Sequence, residues 1–214
     1  MMTTVLSPVP TPVSSLQDCF GSIDIYLFDQ LLKGRVTSGM RVLDAGCGNG
    51  RNLTYLLRMG CAVYGIDQSA DGIAAVRQLA ARVRPGTSPA RFLEGAVEAL
   101  PFTDAAFDVV ISSAVLHFAR DDAQFDAMVD EMWRVLARGG LLFARLASSI
   151  GIEDRVRAVE GRRHRLPDGT ERYLVDEAML LEKTAQLGGR LADPLKTTNV
   201  QGLRAMTTWS VSRP

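Results

Sequence analysis

The sequence predicts a doubly wound α/β fold, and two observations carry this prediction. Short apolar runs alternate with segments of helical periodicity between residues 40 and 146. The connections between them are short, as they are where crossover helices join the parallel strands of one sheet. The chain has 214 residues and is 47% hydrophobic, so it can bury a core in one domain without disulfides or metal ions.

Apolar residues that recur every three to four positions predict the helices. This repeat covers 22–33 and 51–59, and a glycine that can end a helix follows each segment. It returns over 69–83, where Ser69 is placed to cap the first turn. It also covers 121–137, where we expect the Gly-Gly pair that follows to end the helix.

Apolar runs without this repeat predict strands that are buried on both faces. Three of them read MRVLD at 40–44, CAVYGI at 61–66 and FDVVIS at 107–112. Two further runs, at 91–94 and 141–146, complete five strands. Because each is short and followed by a turn or helix, they fit a parallel sheet better than a set of hairpins.

The pattern changes after residue 150. Residues 151–170 are polar, and we expect them to be irregular. A helix is expected over 176–187, followed by two strand-like runs at 190–197 and 205–213. These two runs are expected to pair as a hairpin at the edge of the sheet.

Residues 1–20 are expected to form a flexible arm, and 21–214 a single domain. The arm carries three prolines among serines and threonines, and the first basic side chain of the chain is Lys33. A signal peptide has a basic start and an apolar centre, so we do not expect one here.

Charge and cysteine content exclude several classes of protein. The 24 basic side chains equal the 24 acidic ones, whereas nucleic-acid-binding proteins usually carry a basic excess. The three cysteines form no CxxC pair, which disfavours a disulfide framework or a structural zinc site and fits a cytoplasmic protein. The uncharged stretch 109–119 is too short to span a membrane.

A glycine-rich turn between the first strand and the next helix predicts a nucleotide-type site. It reads Asp44-Ala-Gly46-Cys-Gly48-Asn-Gly50, and the second strand ends in Asp67. Glycines let the backbone turn tightly near a ligand, and the helix start offers free N–H groups. An acid about twenty positions further along the chain can accept hydrogen bonds from both hydroxyls of a ribose.

The spacing of this turn favours one ligand class over another. The dinucleotide fingerprint GxGxxG needs a small residue where this chain has Arg51. The acid at Asp44 suits a ligand with an ammonium and a sulfonium better than a pyrophosphate. A nicotinamide-dependent oxidoreductase is therefore the weaker alternative.

Five ordered blocks resemble the class I S-adenosylmethionine (SAM) dependent methyltransferases. They read VLDAGCGNGRN, VYGIDQS, GAVEALPF, FDVVISSAVLHF and MWRVLARGGLLFARL, and the resemblance covers about 36–147. It is closest to the small tellurite-resistance-like (TehB-like), methyltransferase-domain-11-type branch. The resemblance implies a Rossmann-like doubly wound seven-stranded sheet, mostly parallel with an antiparallel C-terminal strand, and helices on both faces.

The resemblance also implies SAM as the cofactor and S-adenosylhomocysteine (SAH) as its product. In that family Asp44 would lie near the ammonium, Asp67 would hold the ribose hydroxyls, and Ser112 and Ser113 would lie between cofactor and substrate. The implied cofactor-binding residues are Tyr26, Asp44, Ala45, Gly46, Gly48, Arg51, Asn52, Asp67, Gln68, Ala96, Val97, Glu98, Ser112 and Ser113. No metal is implied.

The third block departs from the family pattern. Ala96 stands where the family block GDAExLPF carries an aspartate that binds the adenine amino group. The backbone N–H of Val97 can still meet an adenine nitrogen. Losing one hydrogen bond is expected to weaken SAM binding by about 1 kcal/mol, unless Glu98 substitutes.

His117 is the candidate catalytic base, because it lies just past the fourth strand. Its apolar surroundings make a structural histidine an equally open interpretation.

The helix at 21–34, with Tyr26, is expected to act as a lid, although Tyr26 also fits a core position. Residues 148–175 are expected to form an insertion on the acceptor side. The arginines of 155–172 alternate with acids and are expected to be solvated rather than to bind an anion.

The sequence thus predicts a SAM-dependent methyltransferase acting on a small molecule, with a thiol, a chalcogen species or a hydroxyl as the acceptor. The alternative is a non-catalytic protein that binds SAM or SAH. Neither nucleic acid nor membrane is expected as a partner, and the protein is expected to be a monomer or a homodimer.

Overall fold

The computed structural model describes residues 15–214, so most of the expected arm lies outside the described residues. Its helices and strands alternate through most of the chain. The helices are α1 (Leu16–Phe20), α2 (Ile25–Leu32), α3 (Leu53–Met59), α4 (Ala70–Val83), α5 (Asp122–Val135) and α6 (Glu177–Gln186). The strands are β1 (Arg41–Ala45), β2 (Ala62–Asp67), β3 (Phe92–Glu94), β4 (Phe107–Ser113), β5 (Leu136–Ser148), β6 (Arg157–Glu160), β7 (Arg163–Arg165), β8 (Glu171–Tyr173), β9 (Arg190–Leu191), β10 (Lys196–Val200) and β11 (Arg204–Ser212). No described helix is long and apolar enough to cross a membrane.

The main sheet has the predicted doubly wound form. Its order is β10-β11-β5-β4-β1-β2-β3, and the two-residue strand β9 pairs with β11. Strand β11 runs antiparallel to β5 and β10, while β1 to β5 are parallel to one another. The order reverses between β1 and β4, and ligands of such sheets lie where it does. The predicted mostly parallel sheet with an antiparallel C-terminal strand is confirmed.

Alternate residues of the central strands build a core on each face of this sheet. On one face Leu43 and Val110 pack in one cluster with Phe125 of α5. On the other face Val42 and Val109 pack in a second cluster, with residues of α2, α3 and α4. The sheet is therefore covered by helices on both sides, as the apolar strands predicted.

The boundary between α5 and β5 differs from the prediction. We expected a helix to residue 137 and a strand after the glycines, but α5 ends at Val135 and β5 already begins at Leu136. The glycines lie inside the strand, where the pairing of β4 with β5 shifts register. A Cβ on Gly140 would lie 2.8 Å from the backbone oxygen of Asp108, so glycine permits the close approach of the two strands.

The segment expected to be irregular forms a small sheet of its own. Strands β6, β7 and β8 make an antiparallel meander in the order of the chain. Leu166 and Leu174 of this meander pack on Ala147 of β5, with Met206 of β11 beside them. The meander thereby covers the carboxyl end of β5, next to the switch point of the sheet.

The start of the described chain is more ordered than expected. Residues 16–20, assigned to the flexible arm, form α1, whose first turn is capped by Ser15. The ring of Phe20 lies 4.8 Å from that of Phe28 and 4.7 Å from that of Tyr55, measured between centroids. These ring contacts hold α1 against α2 and α3. Because they are tertiary contacts, the composition of residues 1–20 does not reveal them.

Candidate functional site

The glycine-rich loop after β1 forms the floor of the candidate site. Gly46 has φ 84°, and a Cβ there would lie 2.3 Å from a methyl carbon of Val115. Both conditions require glycine. The carboxylate of Asp67 fixes the loop, because Oδ2 accepts from the N–H of Gly48 at 2.8 Å and Oδ1 accepts from that of Ser69 at 2.9 Å.

Asp44 lies near the end of β1, just before this loop, and one oxygen of its buried carboxylate has no partner among the described residues. Its side chain is 1% exposed, and Oδ1 has no hydrogen-bond partner among the described residues. Burial raises the pKa of Asp44 to about 7, against the charge of Arg51, which lowers it. A buried carboxylate without a partner is costly, and a cationic ligand group would remove that cost.

A cavity of about 320 Å³ opens over the loop, and we call it the cofactor cavity. It is bounded by the ends of β1, β2 and β4 and by α5. Its lining residues are Gly46, Asp67, Gln68, Gly95, Val97, Glu98, Ala114, Val115, Phe118, Gln124 and Met128. Glu98 is fixed there, because its Oε1 accepts from Nε2 of Gln124 at 2.8 Å.

Asp24 joins the N-terminal helix to this site. It is 5% exposed, and its side chain accepts from the backbone N–H of Tyr26, which caps α2. Its Oδ2 also lies 3.0 Å from Nη1 of Arg145 and 3.3 Å from Nη2 of Arg51, and it accepts from the hydroxyl of Ser113. The backbone N–H of Asp24 donates to Asn52.

A second cavity of about 260 Å³ adjoins the first, and we call it the arginine cavity. Ala114 lines both cavities, so they are neighbours. Strand β5, the β7–β8 hairpin and the β10–β11 hairpin supply most of its walls. Its lining residues are Arg51, Ala114, His117, Arg145, Ala147, Leu166, Asp168, Thr170, Arg172, Val200, Arg204 and Met206.

His117 lies at the wall of the arginine cavity and is 6% exposed. Its Nδ1 accepts from the backbone N–H of Ala147 at 3.3 Å, so the neutral ring carries its proton on Nε2. Burial, and after it the charges of Arg172 and Arg145, lower the pKa of His117 to about 4. At neutral pH the ring is thus an uncharged hydrogen-bond donor.

The structure brings most of the predicted cofactor residues to this end of the sheet. Gly46, Asp67, Gln68, Val97 and Glu98 line the cofactor cavity. Gly48 is held by Asp67, and Ala45 is buried at the end of β1.

Several other predicted residues, Asp44 among them, line neither cavity. Ser112 is fully buried, and its hydroxyl has no partner among the described residues. Ala96 stands between two lining residues without being one itself. Tyr26 bonds through its hydroxyl to that of Thr198 at 2.6 Å.

Sequence reasoning missed Asp24 and Arg145, which the fold brings together at the centre of the site. Two signals could have found them. Asp24 lies near the start of the helical repeat at 22–33, and aspartate is a favoured N-cap residue. Arg145 interrupts the apolar run LLFARLA, and a charge inside a buried strand needs a partner.

The sheet order, the positive-φ glycine loop and the acids at the ends of β1 and β2 are the features expected of a class I SAM-dependent methyltransferase domain. Residues 43–144 match the family model described as a methyltransferase domain. The predicted class is thereby confirmed, and SAM is the cofactor of this class. Among the described residues, no cluster of side chains could hold a metal ion.

Curated relatives carry methyltransferase names. The chain is 33% identical over 135 residues to the fatty-acid O-methyltransferase of Mycolicibacterium smegmatis, covering 62% of this chain and 46% of that protein. It is 34% identical over 142 residues to the malonyl-[acyl-carrier protein] O-methyltransferase of Enterobacter lignolyticus, covering 65% and 51%. The chain thus spans about half the length of these relatives.

Solved structures share the fold. Magnesium protoporphyrin IX methyltransferase from Synechocystis, solved with bound SAM, superposes with a TM-score of 0.64 at 20% identity, covering 88% of this chain and 77% of that one. A TehB-like SAM-dependent methyltransferase from Corynebacterium glutamicum gives 0.58 at 19% identity, covering 89% of each chain. At this identity the likeness concerns the fold alone.

Proposed function

We propose that the protein transfers a methyl group from SAM to a small-molecule acceptor. The observation that carries the proposal is the buried carboxylate of Asp44, whose Oδ1 has no partner among the described residues, next to a glycine loop. SAM has an ammonium group that would pair with this carboxylate, whereas the pyrophosphate of a dinucleotide would be repelled by it. When bound, SAM supplies an electrophilic methyl group on a sulfonium.

The residues around the cofactor cavity fit the other parts of this ligand. Asp67 keeps free lone pairs beside its bonds to the loop and would accept from the ribose hydroxyls. Val97 and Glu98 would face the adenine. Glu98 is held in the wall by Gln124, and we propose that it replaces the side-chain acceptor that is missing at Ala96.

The arginine cavity is the proposed acceptor site, because it adjoins the cofactor cavity at Ala114. The relatives named above are O-methyltransferases, which supports an oxygen acceptor among the possible classes. The base role expected for His117 needs a ring nitrogen that is free to take a proton. With Nδ1 bonded to the backbone and the proton on Nε2, we propose that His117 donates a hydrogen bond to the acceptor instead.

A methylation assay tests this function. The protein would be incubated with methyl-labelled SAM and separate panels of thiols, chalcogen oxyanions, phenols and carboxylic acids, and SAH formation would be followed. We expect acceptor-dependent SAH formation with at least one panel. SAM binding without turnover on any panel would instead assign the protein as a non-catalytic SAM-binding protein.

A further inference from the structure

The arginine cavity carries more positive charge than its own acids neutralise. Arg145 is paired with Asp24 through Nη1, but its Nε is buried and has no partner among the described residues. Arg172 and Arg204 also line the cavity, and neither forms an ion pair within the part of the chain that the structure describes. Unpaired guanidinium groups around one cavity are typical of anion recognition.

The sequence predicted a solvated surface for the arginines of 155–172, and only Arg172 of that segment lines the arginine cavity. Of the other arginines in this segment, three have acidic partners: Arg162 pairs with Asp176 at 2.9 Å, and Arg163 and Arg165 pair with Glu171 at 3.9 and 2.5 Å. Arg155 and Arg157 form no ion pair with a described residue. Arg172 donates to a backbone oxygen and stacks on Phe118, with 4.9 Å between Cζ and the ring centroid. Arg172 forms no ion pair with a described residue, but against burial the hydrogen bonds of Thr170, and after them the charges of Arg204 and Arg172, lower the pKa of Asp168.

The rest of the cavity limits the kind of anion. Asp168 lines the same space, and its Oδ1 is already bonded to the N–H and hydroxyl of Thr170. Asp168 in the cavity, and Asp24 beside Arg145 and Arg51, offset only part of the charge of the four arginines that line it, so an anionic ligand is favoured. Ala147, Leu166 and Met206 add apolar walls, which suit a small organic body.

We infer that the arginine cavity binds the acceptor as a carboxylate anion, held by Arg145, Arg172 and Arg204, with a hydrogen bond from His117. This inference rests on the proposed function, which it deepens by naming the acceptor class. It also removes the need for a general base, because a carboxylate is ionised at neutral pH without help.

The test uses two acids and their neutral isosteres as probes: benzoate against benzamide, and hexanoate against hexanamide. Each would be titrated calorimetrically into the protein, with and without SAH. We expect the carboxylates to bind the SAH complex at least about tenfold more tightly than the amides, as a charge-assisted contact requires. Arg172→Gln and Arg204→Gln should each weaken benzoate binding about tenfold and leave SAH affinity unchanged.

Arg190→Gln is the matched control, because Arg190 is exposed on β9 and lines neither cavity. It removes the same charge and should leave benzoate affinity unchanged. Equal affinity for acid and amide would overturn the inference, as would no carboxylate binding at millimolar concentration or tighter binding of phenyl phosphate than of benzoate. A wild-type protein that fails to bind SAH would instead contradict the proposed function, whatever the probes do.

Discussion

At the scale of single residues, Asp44 shows how a candidate binding group can be retained at a cost to the stability of the fold. Strand β1 is buried around it, so Oδ1 of its carboxylate loses water without gaining a partner among the described residues. Burial therefore raises its pKa to about 7. A ligand cation would restore the charged form, which links cofactor binding to pH.

The first prediction is a pH dependence of SAM affinity. Protonated Asp44 cannot pair with the ammonium, so affinity should rise as pH increases through about 7. Below that value the affinity should change by about tenfold per pH unit, with one proton released on binding. Calorimetry at several pH values, in buffers of different ionisation enthalpy, measures both the SAM affinity and the number of protons released. The Asp44→Asn variant should show no pH dependence of SAM affinity. Affinity independent of pH in the wild type would contradict this account of Asp44.

The second prediction concerns His117, whose Nε2 donates and whose pKa lies at about 4. Replacement by glutamine keeps a side-chain donor, so His117→Gln should lower kcat by less than about tenfold and act mainly on KM. The pH profile of kcat should keep its shape. A loss of about a thousandfold, together with loss of a limb of the profile, would restore the base role that the sequence predicted.

At the scale of elements, hydrogen bonds and ion pairs attach both ends of α2 to the rest of the domain. Asp24 ties its first turn to β4 and β5 through Ser113 and Arg145. Near its end, Arg35 and Lys33 pair with Asp193, at 2.5 and 3.0 Å. The expected lid thus has a buried contact at Asp24 and a more exposed one at Asp193.

The third prediction separates these contacts. Asp24→Ala removes a helix cap and leaves Arg145 without its carboxylate, so it should lower the free energy of unfolding by about 3 kcal/mol. Asp29→Ala is the control on the same helix, since Asp29 forms half-exposed pairs with Lys33 and Lys196. It should cost less than about 1 kcal/mol. Urea denaturation of both variants measures the difference, and equal costs would contradict the role given to Asp24.

At the scale of the whole molecule, the sequence predicts the central sheet better than its surroundings. Strands such as β1 and β4 are apolar on both faces, and short runs of this kind are typical of the centre of a parallel sheet. The meander β6–β8 escaped prediction because β6 is exposed along its length, and only tertiary contacts such as Leu166 on Ala147 hold the sheet in place.

The candidate site divides in the same way. The cofactor cavity follows from the glycine turn and from Asp67, because both lie at strand ends whose positions the topology fixes. The arginine cavity does not follow from any local pattern. Arg145, Arg172 and Arg204 come from three separate strands, and only the folded chain reveals that they surround one space.

The most direct test of the central claim is calorimetric titration with SAM, SAH and NAD. Wild-type protein and Asp44→Asn would be compared, with Asp71→Asn on the exposed start of α4 as the control. We predict that SAM binds the wild type and the control with equal affinity. Asp44→Asn should weaken SAM affinity by about tenfold or more. NAD should not bind. Binding of NAD, or SAM affinity unaffected by Asp44→Asn, would contradict the account.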